Sequence, residues 1–174
     1  MGLPATRHVE LKANLSDFDT ARRTAEQVAT GGPTIERQVD TYFHCHEGRL
    51  KLREINDSAA LLIWYARADE AEAKPSDYRI VAASRAAELK SMLAAALGVK
   101  AVVEKRREIF LRGSVRIHLD QVAGLGCFLE FEAVLDDNFD EQSAHAELAD
   151  LRQRFGIRPA DLLEGSYADL TAAS

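Results

Sequence analysis

The chain has 174 residues, of which 47% are hydrophobic, and its 28 acidic residues outnumber 22 Lys and Arg to give a net charge of −6. This length predicts one folded domain over residues 1–174 with its own core, and it argues against a disordered chain. The acidic balance argues against non-specific binding to nucleic acid or an anionic membrane. Two cysteines are too few for a disulfide framework, and their spacing suggests no zinc site. Because no apolar stretch could span a bilayer or form a signal peptide, we expect a soluble, cytoplasmic protein.

The first half of the chain contains strand-like segments around one helix. Residues 7–15 alternate polar and apolar side chains with the two-residue period of a half-buried strand. A capped helix is predicted from Ser16 to Ala29, and the segment 31–33, which reads Gly-Gly-Pro, is expected to close it. A strand-like stretch resumes at Ile35. Strand-like segments, separated by turn-prone or acidic residues, then follow at 38–44, 49–55, 60–68 and 78–82.

The second half repeats this mixture of strands and helices. A helix over 84–97, ended by Gly98, precedes three strands at 101–110, 114–120 and 127–135. A third helix is predicted over 140–155 and a short one around 160–164. Eight strands with outer helices predict an α+β protein with a mainly antiparallel sheet. Eight antiparallel strands can close into a β-barrel, although the pattern alone does not establish closure.

The polar sides of these strands carry many charges. Arg49, Lys51 and Arg53 alternate with leucines, so all three share one face of their strand. The same alternation aligns charged residues in the other strands. Eight aligned positions are cationic, namely Lys12, Arg49, Lys51, Arg53, Arg67, Lys105, Arg107 and Arg116, and four are acidic, namely Glu10, Asp120, Glu130 and Glu132.

Two interpretations of these charged faces stay open at this point. A one-sided antiparallel sheet usually exposes its polar face to water, where charges of both signs mix. A local surplus of four positive charges in an acidic chain instead indicates a bound anion. The neighbouring carboxylates suit Mg²⁺ or Mn²⁺, because hard divalent ions bind through one or two carboxylates together with phosphate oxygens. The combination predicts a site for a metal ion and a polyphosphate.

Seven segments spread along the chain form a pattern that extends this prediction. They are Val9-Glu-Leu-Lys12, Asp40-Thr-Tyr-Phe43, Gly48-Arg-Leu-Lys-Leu-Arg-Glu54, Lys105-Arg-Arg107, Arg116-Ile-His-Leu-Asp120, Phe128-Leu-Glu-Phe-Glu132 and Ser166-Tyr-Ala-Asp-Leu170. Together they resemble the CYTH family of triphosphate tunnel metalloenzymes, which includes class IV adenylyl cyclases, thiamine triphosphatases and inorganic or RNA triphosphatases. The resemblance implies an eight-stranded antiparallel β-barrel with flanking helices, whose basic tunnel binds a triphosphate and one or two divalent ions.

The resemblance also implies roles for individual residues. Triphosphate binding is carried over to Lys12, Arg49, Lys51, Arg53, Arg67, Arg79, Lys105, Arg107 and Arg116. Mg²⁺ or Mn²⁺ binding is carried over to Glu10, Asp120, Glu130 and Glu132, and catalysis to Glu10, Lys12, Glu130 and Glu132. The family pattern E-x-E-x-K begins here with His8, and because imidazole suits Mg²⁺ poorly we expect any second metal site to be weakened. His118 shares a face with Asp120, and we interpret it as a structural histidine rather than a catalytic base.

The expected function is hydrolysis of a small triphosphate such as tripolyphosphate, thiamine triphosphate or ATP, with metal and cations stabilising the transferred phosphoryl group. One alternative is a class IV adenylyl cyclase that converts ATP to cyclic AMP and pyrophosphate. A second alternative is a non-catalytic module that binds a polyphosphate or nucleotide, although the paired Glu130 and Glu132 argue against it. With cations directed inward we expect no nucleic-acid partner and no membrane partner. Outer helices leave room for a homodimer interface, but no apolar stripe specifies one.

Overall fold

The computed structural model describes residues 6–67 and 70–172, except for the side chains of Thr6, Arg67 and Ala172. The strands are β1 (Thr6–Asn14), β2 (Gly31–Phe43), β3 (Arg49–Ile55), β4 (Ala59–Arg67), β5 (Lys74–Ala82), β6 (Val99–Arg112), β7 (Val115–Val122) and β8 (Gly126–Val134). The helices are α1 (Phe18–Val28), α2 (Ala86–Leu97), α3 (Glu141–Arg154) and α4 (Tyr167–Ala172). In the part of the chain that is described, no helix is long and apolar enough to cross a membrane.

The strands form one closed antiparallel barrel. Their order around it is β1-β5-β4-β3-β2-β6-β7-β8, so β1 and β8 close the ring. The predicted α+β class and eight-stranded antiparallel β-barrel are therefore confirmed. Closure pairs every strand on both edges, which removes the unpaired backbone groups that an open sheet would expose.

One large hydrophobic cluster lies outside the barrel wall. Alternation along β1 directs Glu10 and Lys12 into the lumen, while Val9 and Leu11 face outward. These outward side chains are buried against α1 and α3, together with residues such as Leu148. Burying one leucine contributes about 1.5–3 kcal/mol, so this outer layer stabilises the fold.

Helix α4 closes one end of the barrel. Tyr167 is buried there, with its ring centroid 4.9 Å from that of Phe128. Ser166 precedes the helix, and its backbone N and its Oγ donate to Asp169 Oδ2 at 3.0 and 2.7 Å. Asp169 also binds Arg49 of β3 and Lys100 of β6, each at 3.0 Å, which fastens the helix to the barrel wall.

The structure differs from the predicted elements at two places. The segment 31–33 begins β2 instead of closing α1 in a loop, since Gly31 pairs with Leu111. Gly32 has a φ of +105°, and a Cβ there would lie 2.6 Å from the carbonyl oxygen of Ile109, so glycine is required. The last helix is α4, whereas the predicted segment around 160–164 contains only a 3₁₀ turn at Pro159–Asp161. Six residues are too few to show a helical period in the sequence.

Candidate active site in the barrel lumen

The lumen contains a cavity of about 300 Å³ that is lined mainly by charged and aromatic side chains. Its cations are Lys12, Lys51, Arg53, Lys105, Arg107 and Arg116, and its acids are Glu10, Glu36, Glu130 and Glu132. Tyr42, Tyr65, Tyr78, Tyr167 and His118 also line it. The structure thus brings together nine of the thirteen residues that the sequence predicts for the site.

Asp40 of β2 gathers three of these cations into one cluster. Its side chain is fully buried, and Arg53 donates to both of its oxygens at 2.7 Å. Lys51 and Lys105 each donate to its Oδ2 at 3.0 Å. Burial alone would raise the pKa of Asp40, but the three positive charges hold that pKa well below its usual range. One carboxylate against three cations leaves two positive charges, which suits a phosphate group. We call these four residues the Asp40 cluster.

The two lysines of the Asp40 cluster have lowered pKa values. Burial, followed by repulsion from Arg53, lowers the pKa of Lys51 from 10.5 to about 8 despite the attraction of Asp40. Burial also lowers the pKa of Lys105 well below 10.5, with Asp40 opposing this and Arg53 and Arg107 adding repulsion. A bound anion would favour the charged form of both lysines, so its binding is coupled to their protonation.

Arg107 of β6 is the centre of a second group. Its guanidinium donates to Asp120 Oδ1 and Oδ2 at 2.7 and 2.6 Å, and Nη2 also reaches Glu130 Oε2 at 2.6 Å. Tyr167 donates from its hydroxyl to Asp120 Oδ2 at 2.7 Å. Asp120 is fully buried and is absent from the cavity lining. The structure therefore places this predicted metal ligand behind Arg107, where it orients the guanidinium.

Three glutamates face the cavity from β1 and β8. Glu10 is the cross-strand partner of Glu132, and Lys12 is the partner of Glu130. Glu10 Oε2 accepts a hydrogen bond from the hydroxyl of Tyr78 at 2.6 Å. Burial would raise the pKa of Glu130, but the charges of Lys12 and Arg107 outweigh it and hold that pKa well below its usual range. Glu130 is therefore ionised, and its carboxylate is better suited to binding a cation than to accepting a proton.

The glutamates fit a hard divalent cation in the chemistry of their oxygen atoms. Among residues 6–67 and 70–172, no three side chains of His, Cys, Asp or Glu are arranged to hold a metal ion. Mg²⁺ commonly binds to one or two carboxylates and completes its coordination with substrate phosphates and water. The donor set fits that arrangement, and it does not fit a cage made of protein ligands alone.

His8 is directed to the same group of carboxylates. It is 3% exposed, its ring stacks on Tyr78 with centroids 4.8 Å apart, and its Nδ1 lies 2.6 Å from Glu132 Oε1. The other oxygen of Glu132 lies 3.2 Å from Arg116 and 3.8 Å from His118 Nε2. Burial would raise the pKa of Glu132, but the contact with His8 and the charges of His118, His8 and Arg116 hold it well below its usual range.

His118 of β7 is buried in the lumen wall. Its Nδ1 lies 3.4 Å from Glu130 Oε2, so both imidazole nitrogens are near carboxylates. Burial, with added repulsion from Arg107, lowers its pKa below 6.5. These contacts agree with the expectation of a structural histidine that is satisfied by acidic partners.

Two of the predicted phosphate-binding residues, Arg49 and Arg79, do not line the cavity. Arg49 donates from Nη2 to Asp169 Oδ2 at 3.0 Å and so connects β3 with α4. Arg79 lies on the outer face of β5, because Tyr78 and Ile80 on either side of it line the cavity. Its guanidinium lies 5.8 Å from the ring centroid of Trp64. Arg67 is the last residue of β4, and its side chain is outside the described residues.

The sequence interpretation missed two acidic residues of the lumen. Asp40 alternates in phase with Gln38 and Tyr42 within a predicted strand, so its inward direction was present in the pattern. Glu36, which also lines the cavity, lies in the strand-like stretch that begins at Ile35, in phase with Gln38. With these two acids included and Arg49 directed to α4, the lumen lacks the predicted surplus of four positive charges. The positive charge is concentrated locally, in the Asp40 cluster.

Comparison with known proteins connects this site to a family. The CYTH domain matches residues 6–167. Adenylate cyclase CyaB of Aeromonas hydrophila is 29% identical over 175 residues, which cover 95% of this chain and 89% of that protein. A conserved hypothetical protein from Pyrococcus furiosus has a TM-score of 0.82 at 17% identity, covering 94% of this chain and 99% of that chain. HpAC1 from Hippeastrum, a candidate adenylyl cyclase described with a dominant triphosphatase activity, has a TM-score of 0.67 at 10% identity, covering 97% of this chain and 96% of that chain.

Proposed function

Because the chain belongs to the CYTH domain family, we propose that it is a divalent-metal-dependent triphosphatase. Members of this family bind triphosphate substrates and typically depend on a metal ion. One observation carries the proposal, namely that a single cavity of about 300 Å³ is lined both by cations of the Asp40 cluster and by the glutamates of β1 and β8. Such a cavity offers phosphate-binding cations and metal-binding carboxylates to one ligand.

In this proposal the Asp40 cluster binds one end of the triphosphate. Arg53 presents a rigid fork of donors, and Asp40 already orients it through two hydrogen bonds of 2.7 Å. Lys51 and Lys105 add point charges from neighbouring strands. Because all of these groups are buried before the ligand arrives, their attraction for a phosphate oxygen is stronger than it would be in water.

The remaining cations stabilise charge during the reaction. Arg107 is oriented by Asp120, and Lys12 lies 3.5 Å from Glu130 Oε1 and 3.9 Å from the ring centroid of Tyr167. Fixed donors of this kind stabilise the negative charge of a transferring phosphoryl group without further reorganisation. A bound Mg²⁺ or Mn²⁺ would polarise the phosphoryl group as a Lewis acid. Glu130 and Glu132 would hold the ion, since their low pKa values make them weak bases.

The size of the cavity supports a compact substrate. Cavities for small organic ligands range over roughly 300–1,000 Å³, and this one lies at the lower limit. A triphosphate chain fits such a volume more readily than a complete nucleotide. The part of the ligand enclosed in the cavity would therefore be the phosphate chain.

A class IV adenylyl cyclase is the second candidate. Sequence identity of 29% with adenylate cyclase CyaB over 95% of the chain favours it. In a cyclase, the same cations would hold ATP so that its α-phosphate faces the ribose hydroxyl, and pyrophosphate would leave. Both reactions require the same groups, so the products distinguish them.

The test is incubation of the purified protein with Mg²⁺ or Mn²⁺ and a panel of tripolyphosphate, thiamine triphosphate and ATP. Phosphate release, measured by chromatography, supports the triphosphatase. Formation of cyclic AMP and pyrophosphate would show that the protein is an adenylyl cyclase. Binding without any product would indicate a module that binds polyphosphate without catalysis.

The double variant Glu130→Ala, Glu132→Ala is the matched test of the metal-binding carboxylates. It should keep binding tripolyphosphate in metal-free buffer but lose turnover. Glu47→Ala is the control, because that side chain is 83% exposed and remote from the lumen. Equal turnover in the double variant and this control would contradict the proposed role of the glutamates.

A further inference from the structure

Glu36 of β2 is a lumen carboxylate that is not neutralised by a cation. It lines the cavity and is partly buried. Among residues 6–67 and 70–172, its carboxylate forms no ion pair and accepts one hydrogen bond, of 2.5 Å, from Gln38 Nε2 to its Oε2. Glu130 and Glu132 differ, because arginines pair with them at 2.6 and 3.2 Å. The second oxygen of Glu36 is therefore able to accept a proton.

Gln38 fixes the direction of this carboxylate. Its side chain is 2% exposed, and it alternates in phase with Glu36, so both line the cavity. The amide is oriented so that Nε2 meets Glu36, although its Oε1 is then buried without a hydrogen-bond partner among the described residues. A buried acceptor left unsatisfied costs free energy and requires an explanation, of which a catalytic role is one. Holding Glu36 in place accounts for this orientation.

Glu36 lies beside a cation that stabilises the transferring phosphoryl group in the proposed function. It is the cross-strand partner of Arg107 on β6, and side chains directly opposite each other have Cβ atoms about 4.5–5.5 Å apart. The guanidinium of Arg107 is directed to Asp120 and Glu130 instead of Glu36. A phosphoryl group bound to Arg107 is therefore next to a carboxylate that this arginine does not engage.

Other proton-accepting groups of the cavity are already engaged. Despite burial, neighbouring charges and hydrogen bonds hold the pKa values of Glu130 and Glu132 well below their usual range, so both are weak bases. Glu10 accepts a hydrogen bond from a tyrosine hydroxyl, and both nitrogens of His118 lie near carboxylates. Hydrolysis nevertheless takes a proton from the attacking water, and a carboxylate beside that water can accept it. Glu36 is available for this step.

We propose that Glu36 is the general base of the hydrolysis and that Gln38 positions it. The inference rests on the proposed function, which supplies the triphosphate and its hydrolysis. The oxygen of a water molecule forms a bond to the phosphorus held at Arg107, while the bond from that phosphorus to its bridging oxygen breaks. The electron pair of the broken bond stays on the leaving pyrophosphate. One proton of the water passes to Glu36 and then to solvent, and the other stays on the released phosphate.

The test measures turnover and binding of tripolyphosphate separately. Glu36→Gln keeps the shape of the side chain but cannot accept the proton, so kcat with Mg²⁺ should fall about 100-fold or more. Its affinity for tripolyphosphate in metal-free buffer, measured by calorimetry, should stay equal or rise, because the variant removes a negative charge from an anion site. Gln38→Met should lower kcat to a smaller extent and leave the affinity unchanged. A merely structural role would lower both quantities together.

Chemical rescue identifies the proton transfer. Glu36→Ala should lose turnover and regain part of it in formate, a small carboxylate that can occupy the space left by the side chain, whereas chloride at equal ionic strength should restore none. Glu104→Gln is the matched control, because this glutamate is exposed on β6 and should keep full turnover.

Three results would overturn the inference and leave the proposed function intact. They are full turnover in Glu36→Gln, a loss of tripolyphosphate affinity that accompanies its loss of turnover, and a loss of turnover in Glu36→Ala that formate does not restore. Absence of turnover in the unchanged protein would contradict both the inference and the proposed function.

Discussion

Arg107 and Asp120 form a two-pronged ion pair inside the barrel, with Nε 2.7 Å from Oδ1 and Nη2 2.6 Å from Oδ2. They are cross-strand partners on β6 and β7, and their side chains are 5% and 0% exposed. A planar guanidinium on a carboxylate has this geometry when both are held rigidly. Asp120 is thus committed to orienting Arg107, which presents its remaining donors to the cavity.

The variant Asp120→Ala tests this structural role. It leaves Arg107 as a buried charge without its main partner, so the free energy of unfolding should fall by about 3–5 kcal/mol in urea titrations. Asp57→Ala is the matched control, because the exposed pair of Asp57 with Arg37 should contribute about 0–1 kcal/mol. If Asp120→Ala is as stable as the unchanged protein but binds Mn²⁺ more weakly, Asp120 is a metal ligand and not the residue that orients Arg107.

The Asp40 cluster predicts a rescue by ligand. Asp40→Asn removes the negative charge that holds three cations together, so we expect a loss of about 3–5 kcal/mol in the free energy of unfolding. Tripolyphosphate supplies negative charge to the same cations, and it should therefore raise the melting temperature of the variant more than that of the unchanged protein. Potassium chloride at equal ionic strength is the control. Equal shifts for both proteins would mean that tripolyphosphate binds elsewhere.

The pKa of Lys51 predicts how binding depends on pH. With a pKa of about 8, Lys51 is charged at pH 7 and loses its proton as the pH rises through 8, whereas Asp40 stays ionised throughout. The affinity for tripolyphosphate, measured by calorimetry without metal, should therefore fall between pH 7 and pH 9. Lys51→Met should bind more weakly at pH 7 and lose the part of this pH dependence that Lys51 contributes, while Lys105, whose pKa is also lowered, retains its own part. Lys90→Met, on the outer helix α2, should retain the pH dependence of the unchanged protein.

The directions of two arginines give a paired prediction for affinity. Arg53 lines the cavity, and a hydrogen bond to a charged group contributes about 1.5–3 kcal/mol, so Arg53→Ala should weaken tripolyphosphate binding by roughly 10- to 150-fold. Arg79 lies outside the barrel above Trp64, so Arg79→Ala should leave the affinity unchanged. A large effect of Arg79→Ala would mean that β5 turns its other face to the lumen.

Much of the site follows from alternation within single strands. Successive side chains in a strand point to opposite faces, so Lys51 with Arg53 and Glu130 with Glu132 share a side wherever their strands are placed. This local rule identified nine lumen residues before any strand pairing was known. Arg79 was assigned from the family resemblance and not from this rule, because Tyr78 and Ile80 on one face and Val81 on the other are all apolar or aromatic and do not show which side is inside.

Strand alternation predicts which charges lie together on a strand and which chemistry they offer, since those features depend only on neighbouring residues. Which strands meet depends on the fold of the whole chain. Asp40 reaches Lys105 across 65 residues of sequence, and Arg49 is bound by Asp169 across 120. Such contacts depend on the register of a closed barrel, which is set by pairing and packing of all eight strands at once. Alternation within a single strand does not specify that register. The partner of each charge is therefore known only from the folded structure.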